Sequence, residues 1–132
     1  MTEFEHVTSQ SAVEIYEATS GVFGGLIREI RGLSSKKPDA ILSKSKVTIL
    51  NKVLEELLKI LGSEPEGKFL SLLDNETLPQ TSDAVLVMVQ FEIALNAFES
   101  RYKTRIRWDY GNYSDEWVTH ELIKEIESDT EE

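Results

Sequence analysis

Apolar residues recur along this chain at steps of three and four, the spacing of one face of a helix. The first such stripe is Val13, Tyr16, Ser20, Phe23, Ile27 and Ile30, with one small polar residue in it. Ser11 followed by Glu14 makes a capping-box pattern at its start. Gly32 and the polar run behind it predict an end, so a helix is expected over about 11–31. The second stripe is Val47, Leu50, Leu54, Leu57 and Leu61, widened by Val53, Leu58 and Ile60. Lys52 with Glu56, and Glu55 with Lys59, form i,i+4 pairs on its wet side. Gly62 predicts a stop, giving a helix over about 43–61.

Ser63-Glu-Pro-Glu66 repeats the capping-box pattern, with proline in the first turn, and predicts a short helix carrying Phe69, Leu72 and Leu73. The run Asp74–Asp83 reads as a loop. Ser82 or Asp83 then caps the longest stripe, Ala84, Val87, Met88, Phe91, Leu95, Phe98 and Tyr102. Val85, Val89, Ile93 and Ala97 cover much of the remaining circumference, so a helix over about 83–105 is expected at the centre of the fold. The β-branched run 84–89 also suits a strand. A final helix is expected after Ser114, with Asp115 and Glu116 at the positive end of its dipole. Its apolar line would be Val118, Leu122 and Ile126. Short connections between amphipathic helices predict an all-α fold, an up-and-down helical bundle of four main helices plus one short helix. The domain would cover residues 1–132, with about 1–9 and 128–132 frayed.

Composition narrows the setting. At 132 residues and 40% hydrophobic content the chain can bury one core, which suits one domain. It has no cysteine, which removes disulfides, thiolate metal sites and a cysteine nucleophile. The acidic start lacks the basic and apolar regions of a signal peptide. The apolar run Ala84–Phe98 is interrupted by Gln90, Glu92 and Asn96 and is short for a bilayer. A cytoplasmic protein with no membrane contact is expected.

Catalytic patterns fail one by one. Metal-dependent pyrophosphatase bundles use ExxE with ExxD; Glu14 and Glu17 supply the first element, but no ExxD follows. Di-iron bundles need Glu-x-x-His on two helices, yet Trp117 stands three before His120, and His6 is the other histidine. The zincin-like start at His120 lacks its second histidine, because position 124 is lysine. No G-x-S-x-G or P-loop pattern occurs. No cofactor, metal or catalytic residue is therefore expected.

Two features are unusual. Ala18, Gly21 and Gly25 lie on the side of the first helix opposite Phe23 and Ile27, leaving a smooth back. That back suits close docking of another helix, including one from a second copy of the chain. The competing reading is a kink or break at Gly24-Gly25. The other feature is the segment RYKTRIRWDYGNYSDEW, Arg101–Trp117. Its cations are Arg101, Lys103, Arg105 and Arg107, and its aromatics include Trp108, Tyr110 and Tyr113.

Net charge is −10, and residues 115–132 hold eight acids against one lysine. Internal pairing of the arginines with the final helix, at Glu121 or Glu125, is the simplest use of them. Trp, Tyr and Arg are also the residues favoured at interaction hot spots, so Arg101, Arg105, Arg107, Trp108, Tyr110 and Tyr113 are candidate contacts for a protein partner. A nucleic acid could use the basic segments 36–52 and 101–107, against the repulsion of an acidic chain. The expected function is that of a small acidic, non-catalytic protein working through protein–protein interaction, as a regulator, adaptor or immunity- or antitoxin-like protein. Nucleic-acid binding is the alternative, and an enzyme of unrecognised type the third.

Overall fold

The computed structural model describes residues 4–130. Helix α1 spans Gln10–Lys36. Its cap is Ser9, two residues before the expected Ser11, and the Ser9 Oγ accepts from the Ala12 amide at 3.1 Å. The helix runs without interruption through Gly24-Gly25 and past Gly32, so the expected break does not occur. Burial of Val13, Phe23, Ile27 and Ile30 along one face supports it. Helix α2 spans Lys44–Leu61 and is capped by Ser43, whose Oγ accepts from the Lys46 amide at 3.3 Å.

A 3₁₀ turn, Pro65–Phe69, follows. Its capping residue is Glu64, whose carboxylate makes no cap and points elsewhere. Gly67 is required here: an added Cβ would lie 2.5 Å from the Gly62 carbonyl oxygen and 2.6 Å from that of Leu61. The chain then returns along the bundle. Asn51 pins it midway, accepting from the Leu73 amide and donating to the Leu73 carbonyl, both at 2.9 Å.

Helix α3 spans Thr81–Tyr102, so residues 84–89 are helical. It buries Ala84, Met88, Phe91, Ala94, Leu95 and Phe98. With 22 residues it is long and apolar enough to cross a membrane by length and composition alone. One face of it lies in the core, while Leu86 and Ile93 on the other side are exposed.

The ends of the helices fix their directions. At one end, Thr81 donates to the Ala40 carbonyl, and Leu42 donates to that of Pro79, both at 2.9 Å. At the other end, Arg101 reaches Glu64. The starts of α2 and α3 are therefore neighbours, and so are their finishes. The two helices run parallel, and α1 runs against both.

This corrects the expectation of an all-α, up-and-down bundle. Parallel neighbours cannot be joined by a tight turn, which is why residues 62–80 travel the length of the bundle.

The second correction lies beyond α3. That helix stops at Tyr102, and strands β1 (Lys103–Arg107) and β2 (Tyr113–Trp117) form an antiparallel hairpin. The segment alternates cationic residues with Thr104 and Ile106, a period of two that suits a strand. Gly111, at φ 86, takes the left-handed position of a three-residue hairpin loop. Residues 113–117 are paired to β1, so Asp115 and Glu116 do not open a helix. Helix α4 starts only at His120 and runs to Thr130, with the Thr119 hydroxyl accepting from the Leu122 amide at 3.1 Å. Thr8 pairs with this region: its amide donates to Val118, and its carbonyl accepts from His120. Of the stretches expected to fray, residues 1–3 and 131–132 lie outside the described residues.

The return segment should be sensitive to its pins. Asn51→Ala leaves two backbone groups of Leu73 without partners and should cost about 1–3 kcal/mol. Gly67→Ala forces the chain apart at the 3₁₀ turn and should cost about 2 kcal/mol. Urea unfolding should show both as lower midpoints at unchanged slope.

Candidate functional site

The hairpin is anchored by aromatic packing at its base. Trp117 meets Tyr16 edge-on, with ring centroids 4.9 Å apart, and lies 5.8 Å from Phe98. Phe98 also stacks on Tyr16 at 5.7 Å and touches Tyr102 at 4.8 Å. The Tyr16 hydroxyl donates to the Glu99 carboxylate at 2.6 Å. Burial, then that bond, pushes the Tyr16 phenol well above its ordinary pKa. Trp117 is thus a structural anchor joining the hairpin to α1 and α3.

Arg101 is spent inside the fold. One guanidinium nitrogen lies 2.7 Å from Glu64, and the other lies 2.9 Å from Glu66. The Tyr102 hydroxyl donates to Glu64 as well. The Arg101 side chain is 19% exposed. This cluster clamps the 3₁₀ turn to the end of α3. The hydrogen bond from Arg101 holds the Glu66 carboxyl below its ordinary pKa. Internal pairing was expected with Glu121 or Glu125, but the partners are Glu64 and Glu66. Glu121 instead accepts from the Gln10 amide, at 3.4 Å.

Arg105 and Arg107 are placed differently. Both are exposed, and among the described residues neither has a carboxylate within ion-pairing distance. They flank the ring of Tyr113, with guanidinium carbons 4.9 and 6.0 Å from its centroid. Lys103 lies 5.4 Å over Trp117. Strand register explains the grouping: Lys103 faces Trp117, Arg105 faces Asp115 and Arg107 faces Tyr113, all on one side of the hairpin.

The other side carries Ile106, 7% exposed, and Ser114, which accepts from the Trp108 indole at 2.8 Å. Trp108 is therefore half-buried and internally bonded. Tyr110 sits at the turn and is 74% exposed, and Tyr113 is 53% exposed. Of the sequence candidates, the fold groups Arg105, Arg107 and Tyr113, adds Tyr110 at the tip, and withdraws Arg101 and Trp108 into the structure. Lys103 was missed as a candidate, although its spacing of two from Arg105 signals the shared face.

Other candidates are dispersed. Lys44 and Lys46 begin α2, while the hairpin springs from the end where α2 finishes. Eighteen residues at about 1.5 Å rise put roughly 27 Å between the start of α2 and the end from which the hairpin springs. Ala18 and Gly21 are exposed and Gly25 is half-buried. A Cβ at either glycine would meet nothing within 4 Å, so no described element docks closely on this face. Glu14 and Glu17 are exposed, as is His120. Among the described residues no group of three His, Asp or Glu side chains could hold a metal ion. A surface groove of about 610 Å³ beside the hairpin root holds Glu5, His6 and the internally paired Arg101. It brings one carboxylate, not two, to its wall.

No protein-family model, curated protein or solved structure matches this chain significantly. The functional reading therefore rests on the residues themselves.

The Arg101 cluster should give acid-dependent stability. Glu66 has a lower pKa folded than unfolded, so its contribution is full above the unfolded value and is lost as pH falls through the folded one. The stability gap between wild type and Glu66→Gln should therefore close between about pH 6 and pH 3. Arg101→Met, which strands two partly buried carboxylates, should cost about 2 kcal/mol at neutral pH. Urea titrations across this pH range measure both effects.

Proposed function

We propose that this chain is a non-catalytic protein that acts by binding a protein partner through the outer face of its hairpin. The carrying observation is the exposed trio of Arg105, Tyr113 and Arg107: two guanidiniums are held against one ring, and among the described residues neither makes an ion pair, although Asp115 stands opposite Arg105 across the strands. Desolvating such groups against a partner's carboxylates is favourable when the geometry is already set. The trio is preorganised by strand pairing, and Trp117 roots the hairpin in the core. Tyr110 at the tip adds an aromatic contact of the kind that dominates interface energetics.

The acidic remainder of the chain suits a regulatory, adaptor or immunity-like role, in which charge steers the encounter and excludes wrong partners. Nucleic-acid binding is the weaker reading. It needs a continuous basic field, whereas Lys36, Lys37, Lys44 and Lys46 gather around the start of α2, away from the hairpin, in a chain of net charge −10.

Affinity capture from the native host, with nuclease treatment, compares wild type with the double variant Arg105→Glu/Arg107→Glu. A partner protein should be depleted about tenfold or more, a loss of about 1.4 kcal/mol of binding free energy. Thermal and urea stability should stay within about 0.5 kcal/mol, because these side chains are exposed. Capture unchanged by the double variant would sink the reading. Strong, salt-dependent binding of the wild type to DNA or RNA would put the nucleic-acid reading first.

A further inference from the structure

The hairpin has two strands, so each strand has an outer edge. Which residues point their backbone groups outward follows from the bonds at the hairpin's two ends. Val118 donates to the Tyr102 carbonyl at 2.7 Å, and Trp108 donates to the Asn112 carbonyl at 2.8 Å. Bonded pairs alternate along an antiparallel ladder, so Thr104 and Ile106 also face inward. Lys103, Arg105 and Arg107 then carry the outward N–H and C=O groups of β1. The Lys103 amide is used by α3, donating to the Glu99 carbonyl. Among the described residues the Lys103 carbonyl, and both backbone groups of Arg105 and Arg107, have no protein partner.

The same residues therefore present an open strand edge and a row of cations. Their side chains repeat about every 6.8 Å, the spacing of alternate residues in any extended strand. We infer that the β1 edge accepts an extended peptide segment of the partner as a third strand, with carboxylates at alternate positions meeting Lys103, Arg105 and Arg107. This rests on the functional reading above and specifies its mode.

A second copy fits the edge poorly. Antiparallel β1–β1 pairing would set cations against cations, the usual protection of an edge strand against self-association. The β2 edge of another copy offers one carboxylate, Asp115, between Tyr113 and the packed Trp117. Repulsion from the acidic remainder is screened beyond about 8 Å at physiological salt. An acidic strand seated on β1 therefore responds mainly to the nearby charges, Lys103, Arg105 and Arg107 against Asp115 and Glu99.

The test uses the full chain and blocked peptides of alternating glutamate and threonine, followed by amide NMR. Binding should shift the Arg105 and Arg107 amides and slow their hydrogen exchange about tenfold or more, in line with a newly paired edge. Two further peptides are N-methylated, one at the glutamates and one at the threonines. A strand uses only alternate amides toward its neighbour, so one phase should weaken binding at least about tenfold and the other should be tolerated. A peptide of alternating lysine and threonine should not bind. Arg105→Glu/Arg107→Glu should abolish binding while the cross-strand contacts of the hairpin persist.

Equal affinity of both methylated peptides would refute strand addition and leave charge recognition by the hairpin face standing. Absence of any shift with the acidic peptide also refutes it, as does concentration-dependent self-pairing through Arg105 and Arg107. Peptide binding with unaltered capture of the host partner by the double variant refutes the functional reading instead.

Discussion

Arg101 decides how the end of this molecule is built. Its guanidinium joins the last turn of α3 to two carboxylates on the 3₁₀ turn after α2. A charge that is only 19% exposed must be neutralised, and Glu64 and Glu66 do so from two sides. The clamp keeps the finishes of α2 and α3 together and orients the point from which β1 departs. It also divides the cations of one short segment into two classes. Arg101 is consumed by the fold, while Arg105 and Arg107 are left facing solvent.

Parallel alignment of α2 and α3 carries a structural burden that an up-and-down bundle avoids. Beyond the short 3₁₀ turn at Pro65–Phe69, the connection must travel the length of the bundle without a helix or strand ladder. It is secured by side chains instead: Asn51 bonds both backbone groups of Leu73, and Asp74 accepts from the Glu76 and Thr77 amides. Gly67 permits the close approach that starts the return. These residues hold no part of the hairpin, yet the hairpin's position depends on them through Arg101.

The three core helices were readable because their apolar stripes are long and regular. Phe23, Ile27, Leu50, Leu54, Leu57, Met88, Phe91 and Phe98 all lie in the core. The direction of α3 was not readable, since a stripe specifies a face and says nothing of whether neighbours run parallel. The hairpin was half-legible. Gly111-Asn112 has the chemistry of a turn, but the alternation from Lys103 to Arg107 follows directly on the apolar stripe of α3, whose helical period masks it. Asp115 and Glu116 then looked like a helix start, although Trp117 belongs on the aromatic cluster and strand pairing puts it there. The partners of Arg101 were hidden because Glu64 and Glu66 sit in a capping-box pattern, a local role that a distant charge outcompetes.

Thr8 bridges the two sequence ends of the described fold, bonding Val118 and His120, and the neighbouring Gln10 amide meets Glu121 across 111 residues. Such contacts close a very long loop, whereas each helix and the hairpin close short ones. Their formation therefore waits on the rest of the chain, and their loss need not take the core with it. The molecule has a closely packed interior with an outer latch. The strand that carries the exposed cations is rooted on the packed side of that division.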